Sequence, residues 1–372
     1  MTKKLLSINL WYSIYKNKTD MQLKCFRRHG YSTDLATIVK QDANICLLLY
    51  SSTDKGLILI FSKTFVSYRK AFNYLFNYCN EKAYDFVYIR RLMSKLFPAA
   101  LYIKSLSKTT PVVYEIPTYP LDTGNTLLYQ VRDYLEMKLY KMINKHIRLT
   151  LVNLIDDSIS LPSNWALFHN AIDIDNYQLF PPSAISDTIK FIIIANISEY
   201  HHYERFIVAM KEYSGIHNIE LTIISPPSVS YTKLKSLVNE LNLGSQVVFY
   251  DSQSIEIIQS IAKDCHIGVA QLSTSEKKSN LVNTLKSKDY CAMGLPFIST
   301  CYDTSFERDF PYAYITKSMD DKIDLSAIIE WYLNIYNNKN YRTEMYLYAK
   351  NNLQYDEFAQ QIIDCVHNNK KK

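Results

Sequence analysis

The stretch FIIIANISEYHHYERFIVAM, residues 191–210, reads as a buried strand, a polar turn and a helix. Phe191 to Ile194 form an apolar run, Asn196 to His202 are mostly polar, and Tyr203, Phe206, Ile207 and Met210 then recur at helical spacing. A strand passing through a turn into a helix is the half-unit of a parallel α/β layer. Working outward, the same alternation continues to the carboxyl side. Strands are predicted at Ile189–Ala195, Glu220–Ser225, Gln246–Tyr250, His266–Ala270 and Phe297–Thr300, with helices at Tyr203–Tyr213, Tyr231–Leu241, Ser254–Lys263 and Leu285–Ala292.

Toward the amino end the pattern breaks at LFPPSAIS (179–186), where two prolines and small polar residues separate periodic segments. Before it, strands are predicted near Leu5–Leu10, Ser32–Thr37, Ile45–Tyr50, Leu57–Phe61, Phe86–Ile89, Val112–Glu115 and Leu149–Val152. Helices fall at Thr19–His29, Val66–Asn80, Arg91–Lys104 and Thr126–His146. Two α/β halves follow: residues 1–180, residues 187–345, and a helical end, 346–372, expected to pack back on the first half. Ligands of open α/β sheets sit at the carboxyl ends of the strands, so two such sheets facing across a cleft would make a two-substrate site.

Composition excludes several classes. Seven glycines in 372 residues are scattered singly, so neither GxxxxGK[ST] nor GxGxxG is present and any phosphate must be held without a glycine-rich cradle. The seven cysteines form no CxxC pair and no zinc-spaced cluster with histidine, which points to a reducing, cytoplasmic setting and no metal centre. The amino end, MTKKLLSINL, reads as a strand, and no apolar run approaches the ~18–20 residues of a membrane span. Net charge is uneven: residues 1–150 hold 23 Lys and Arg against 10 Asp and Glu, and the remainder 19 against 26. A basic first half suits an anionic partner, a membrane surface or nucleic acid, but also an ordinary solvated surface. Strings typical of nucleic-acid recognition are absent, so no nucleic-acid partner is expected.

Two segments carry candidate chemistry. The helix start after Asn196 offers unpaired N–H groups and a positive dipole end to a diphosphate, with His201 and Arg205 placed to add a donor and a charge. The plain alternative is that His201 and His202 are loop residues and Arg205 pairs with Glu204 or Glu199. In NTLKSKDYCAMGLPFIST (283–300), Lys286, Lys288 and Asp289 open a short helix that stops at Gly294 before Pro296. Lysine at a helix start opposes the dipole and argues for a nearby anion, and a carboxylate can accept both hydroxyls of a ribose. A surface helix with a chance Lys/Asp pairing reads the same way.

ANISEYHHYERFI (195–207) resembles the ANxSxWHGYDRxI stretch, and TLKSKDYCAMGLPFIS (284–299) the SLKSREYxAxGxPFI stretch, of bacterial family 4 glycosyltransferases with the GT-B fold that build capsular and exopolysaccharide units. DFVYIRR (85–91), VVYEIPTYPLD (112–122) and FHNAIDIDNYQL (168–179) match in order. The resemblance implies two Rossmann-like domains, the first binding an acceptor and the second a nucleotide-sugar donor, with retaining, metal-independent transfer. It places Asp289 on the ribose, Lys286 and the backbone of Thr284, Leu285, Lys286 and Ser287 on the diphosphate, and Asn196, His201 and Arg205 around the same group. The sequence departs from the pattern where His202 replaces glycine, Glu204 replaces aspartate, Ala171 replaces glycine and Leu281 stands where the first of two glutamates would be.

In the first half, Glu115 ends a strand and is a candidate to orient or deprotonate an acceptor hydroxyl, or else a carboxylate satisfied by local N–H groups. Arg90 and Tyr119 are candidates on the acceptor side. The basic and apolar segments 95–108 and 134–148 suit either an anionic bilayer surface or a helix covering a sheet. No cofactor is expected. The resemblance further implies as substrates a nucleotide sugar, expected to be a UDP-sugar, and a lipid-linked oligosaccharide, met in the cytoplasm or at the inner face of the plasma membrane. The rival function is a sugar-nucleotide-binding or partner-binding module with a decayed site.

Overall fold

The amino-terminal run KKLLSI forms β1 (Lys3–Ile8), with Leu5 and Leu6 wholly buried. The computed structural model describes residues 3–13, 16–53, 56–119, 121, 127–154, 159–275 and 280–367, which fall into two units: Met1–His169 with Tyr355–Lys372, and Asn170–Gln354. In the first unit, α1 (Lys16–Arg28), β2 (Tyr31–Gln41), β3 (Asn44–Thr53), β4 (Gly56–Phe65), α2 (Tyr68–Lys82) and β5 (Phe86–Arg90) follow β1. The chain continues through α3 (Leu96–Leu106), β6 (Val112–Tyr119), α4 (Leu127–Ile143), β7 (Leu149–Leu154) and β8 (Trp165–Leu167). The strands form one sheet ordered β4-β3-β2-β1-β5-β6-β7-β8.

This sheet is not parallel throughout, as the alternating pattern implied. β2, β3 and β4 form an antiparallel meander. Only Asp42 and Ala43 join β2 to β3, with Asp42 in the left-handed region at φ 52°, and two residues close a hairpin but cannot cross over a sheet.

The second unit runs β9 (Thr188–Ile194), α5 (Glu204–Glu212), β10 (Asn218–Ile224), α6 (Val229–Glu240), β11 (Val247–Tyr250), α7 (Ile255–Ala262) and β12 (Ile267–Gln271). It goes on through β13 (Leu281–Val282), α8 (Leu285–Ala292), β14 (Phe297–Ser299), β15 (Tyr302–Asp303), β16 (Ala313–Ile315), α9 (Leu325–Tyr336) and α10 (Tyr341–Asn352). Six of the strands form a parallel sheet ordered β11-β10-β9-β12-β14-β16, while β13 pairs with β15. That order reverses direction between β9 and β12, the topological switch point where α/β sheets take their ligands. The last helix, α11 (Tyr355–His367), belongs to the first unit and lies against α1.

The proline-containing stretch at 179–186 runs along the second unit, where Ser183 Oγ donates to the Asp264 carbonyl. The chain passes between units earlier, after His169, and Ile172 and Ile174 already sit in the second core.

Packing fixes α8 against the switch point. Tyr290 is fully buried, its hydroxyl taking the Ile194 N–H at 2.9 Å and lying 3.2 Å from the carbonyls of Ile192 and Val269. Its ring lies over Gly268, where a Cβ would come within 2.7 Å of a ring carbon. An alanine there would overpack the core at a cost of about 1–3 kcal/mol. The helix ends at Gly294, at φ 67° and tight against Arg342, a left-handed stop that glycine adopts without penalty.

Candidate functional site

The chain leaves β9 at Ile194, exposes Asn196, and makes a 3-10 turn over Glu199–His201. Ser198 and His201 cap that turn reciprocally, and the Ser198 N–H donates to His201 Nδ1 at 3.2 Å, which leaves the imidazole proton on Nε2. Burial, and then the charge of Lys286, hold this histidine down at about 3, so it is a neutral N–H donor at physiological pH. His202 takes the left-handed conformation, φ 53°, that glycine would adopt, and its ring turns toward Glu204, 2.9 Å from Nδ1 to Oε1. Among the described residues three bonds tie this segment to β12 and the residues leaving it: the Leu272 N–H to the His201 carbonyl, the Ser273 hydroxyl to the Tyr200 carbonyl at 2.7 Å, and the Tyr203 hydroxyl to the Ala270 carbonyl.

At the start of α8, Thr284 is the cap residue, and its N–H donates to Asp303 Oδ2 at 3.1 Å. The Ser287 hydroxyl donates to the same oxygen. Lys288 is wholly buried, with Nζ 3.2 Å from Asp303 Oδ1 and 2.9 Å from both Asn283 Oδ1 and the Thr284 carbonyl. Burial pushes its ammonium below the usual lysine range while Asp303 opposes the shift. The anion expected beside a lysine at this helix start is therefore, for Lys288, the protein's own Asp303. Lys286 points elsewhere: its Nζ lies 5.7 Å from the centre of the Tyr203 ring, close enough to His201 to bear on its protonation. Asp289 accepts the Tyr177 hydroxyl at 2.6 Å, and burial raises its carboxyl to about 6 against the pull of that bond and of Lys288.

Of the residues singled out in the second half, the fold thus sets His201 and Lys286 around one ring, that of Tyr203, at 5.4 and 5.7 Å from its centre. Leu285 packs on the core of the unit. Arg205 is committed elsewhere: its guanidinium donates to the carbonyls of Leu272 (2.6 Å), Ser273 (3.3 Å), Met319 (2.8 Å) and Asp321, which makes it a strut under the loops and replaces the expected pairing with Glu204 or a phosphate. A hollow of about 300 Å³ beside the turn is lined by His202, Glu204 and Lys233 on the α6 side and does not reach Lys286 or Asp289. Reading the sequence missed Asp303, Asn283, Tyr177 and Tyr203. Lys288 signalled an anion, but no spacing pointed to an aspartate on a separate two-residue strand.

In the first unit, Glu115 is fully buried among Arg90, Lys18 (3.3 Å) and the Tyr88 hydroxyl. Burial alone would raise its carboxyl, but Arg90, Lys18 and Tyr88 outweigh that and hold it at about 2. So weak a base does not deprotonate a hydroxyl near neutral pH, and the expectation that it does so does not fit this arrangement. Arg90, placed on the acceptor side from sequence, is instead the main partner of Glu115. Tyr119 stacks edge-on against Trp165 at 5.1 Å. Asp156 and Asp157, the adjacent acidic pair of the sequence, Pro120 of the 112–122 segment, and the lysine-containing segment 276–279 lie outside the described residues.

One helix of this unit is inverted. On α4 the buried side carries Asp133 and Glu136, both bonded to Arg91, together with Tyr140 and Ile143. Leu127, Leu128, Tyr134, Leu135 and Met142 are exposed. Among the described residues no helix is long and apolar enough to cross a membrane.

A parallel second sheet in the order three-two-one-four-five-six, in a chain whose other α/β unit also takes the last helix, is the GT-B fold: two Rossmann-like units. No protein-family model and no curated protein matches the chain. Solved structures do. A glycosyltransferase from Rickettsia africae superposes with a TM-score of 0.69 at 10% identity, over 100% of this chain and 99% of that one. Alr3699/HepE of Anabaena, solved in complex with UDP, gives 0.67 at 10% identity over 99% and 100%. Sucrose-phosphate synthase from Thermosynechococcus elongatus gives 0.64 at 12% identity over 97% and 98%.

Proposed function

We propose that this chain is a glycosyltransferase that moves a hexosyl group from a nucleotide-diphosphate sugar, a UDP-sugar, to a growing lipid-linked oligosaccharide of a surface polysaccharide. By this reading transfer proceeds with retention and without a metal, in the cytoplasm at the inner face of the plasma membrane. The observation that carries it is the placing of His201 and Lys286 around the Tyr203 ring, 5.4 and 5.7 Å from its centre, beside the switch point of a GT-B fold. As the glycosidic bond breaks, charge grows on the leaving diphosphate. A neutral Nε2–H donor, an ammonium and the first N–H groups of α8 are fixed donors for that charge and need no reorganisation. Asp289, with one oxygen held by Tyr177, would accept a ribose hydroxyl through the other.

The inverted α4 supports the acceptor half of the proposal. Its outward leucines, methionine and tyrosine, with Lys138 and Lys141 on the same helix, suit the interface of an anionic bilayer, where a lipid-linked acceptor resides.

Calorimetric titration tests the donor site. UDP is expected to bind, and Lys286→Ala to weaken it about tenfold, the ~1.4 kcal/mol of one charge-assisted contact. Absence of UDP binding, or an unchanged affinity in the variant, would refute the assignment. A second reading, a binding module that no longer transfers sugar, is favoured by the capping of the Thr284 N–H by Asp303 and the commitment of Arg205. UDP binding without release of UDP from any UDP-sugar would select it.

A further inference from the structure

We infer that Cys25, His29 and Asp356 form a zinc-binding site in the first unit. Cys25 and His29 are four residues apart at the carboxyl end of α1, where the His29 N–H still bonds to the Cys25 carbonyl, so both side chains share one helix face. Asp356, in the first turn of α11, meets them there. Its Oδ1 lies 3.2 Å from Cys25 Sγ and 3.5 Å from His29 Nε2, and all three donor atoms lie within 4.8 Å of one another. Ligands at ~2.0–2.3 Å around a tetrahedral zinc stand about 3.3–3.6 Å apart, and the two separations from Asp356 Oδ1, 3.2 and 3.5 Å, are close to that spacing.

Two further observations point to an ion and not merely to a hydrogen-bonded cluster. His29 Nε2 is shielded from water yet makes no hydrogen bond among the described residues, although it faces a carboxylate. The other oxygen of Asp356, Oδ2, takes Arg28 Nη1 at 2.9 Å, which orients the carboxylate to present Oδ1 to the shared point. Metal-ligating carboxylates are commonly held in this way by a second hydrogen bond. One sulfur, one imidazole nitrogen and one carboxylate oxygen form a donor set for zinc, with water in the fourth position. On binding, the Cys25 S–H bond breaks, its proton passes to solvent and a sulfur–zinc bond forms, with no change of oxidation state. The ion would join α11 to α1 across 331 residues of sequence, and so fasten the carboxyl-terminal helix to the first unit.

The test uses the full chain, stripped with chelator and kept reduced, titrated with zinc against a chromogenic chelator and separately with cobalt. Expected are one zinc per chain, a sulfur-to-cobalt charge-transfer band, and a rise in the melting temperature of the first unit. Cys25→Ser and His29→Gln should each weaken zinc binding 10–100-fold, and Cys365→Ser, elsewhere on α11, should leave it unchanged. His29 lies at the helix end and is partly exposed, so His29→Gln stays informative if Cys25→Ser fails to fold. Zinc uptake equal in the parent and in His29→Gln, or a cobalt complex without a sulfur band, would overturn the assignment.

Discussion

Replacing Glu115 by glutamine separates a structural carboxylate from a chemical one. The side chain is fully buried against Arg90 and Lys18, and its carboxyl lies at about 2 in place of the usual 4.5. A carboxyl so lowered favours the ionised native state by about 3 kcal/mol at neutral pH. Glu115→Gln also leaves two buried cations facing a neutral amide, and breaking a buried pair from one side costs about 3–5 kcal/mol. Because the folded value lies below the unfolded one, this stability is present above pH 4.5 and is lost as pH falls from 4.5 toward 2. Urea denaturation followed by tryptophan fluorescence reads the effect. Trp11 and Trp165 report the first unit, and Trp331→Phe silences the reporter of the second. The variant should lose about 3 kcal/mol or more at pH 7, and its stability should change less steeply below pH 4.5 than that of the parent. If Glu115→Gln stays within about 0.5 kcal/mol of the parent, the range of an ordinary surface change, while sugar transfer collapses, then Glu115 works on substrate and the argument from its ion pairs is wrong.

Arg205→Ala removes a charged donor from four carbonyls and should lower the stability of the second unit by about 3 kcal/mol, leaving UDP affinity intact at temperatures where the unit is folded. A loss of UDP affinity without a shift in melting would return Arg205 to the phosphate. Tyr177→Phe should raise the Asp289 carboxyl above its value of about 6, read by carbon-13 titration of the side chain, since the lost hydrogen bond favours the ionised form; an unchanged titration would show that the bond is not made. His201 sits at about 3 when folded against 6.5 when unfolded, so its neutral burial withdraws stability as pH falls from 6.5 toward 3, and His201→Asn should flatten that part of the profile. Leu128→Asp with Leu135→Asp should abolish flotation with anionic vesicles while leaving folding intact, because both side chains already face solvent; undiminished flotation would remove α4 from the membrane reading.

What could be read in advance depended on how local its cause was. The helix Leu285–Ala292 is delimited by a cap residue and a glycine stop within its own segment, and the predicted and observed ends coincide. β9, β10 and α5 agree to within a residue or two, their apolar runs being bounded by polar residues in the sequence itself. The direction of β3 and β4 was not legible, because an apolar run has the same composition whichever way it pairs, and only the two-residue link at Asp42 gave it away. The candidate site was readable as far as His201 and Lys286, whose turns announce helix starts. Its remaining members depended on long-range partners: Asp303 for Lys288, Tyr177 for Asp289 and four distant carbonyls for Arg205. The first and last of these tie Lys288 and Arg205 into the framework, while Tyr177 holds one oxygen of Asp289.

The parallel bridge between Ile172 and Gln354, with the Ile172 N–H bonded to the Leu353 carbonyl at 2.9 Å, brings the entrance and exit of the second unit side by side. That unit is one uninterrupted segment of the chain, 170–354, with adjoining ends. Such a piece can be cut out, expressed alone, circularised or exchanged for a foreign counterpart, and its host closed with a short linker. The second unit could then be replaced by transplantation, without altering the sequence of the first.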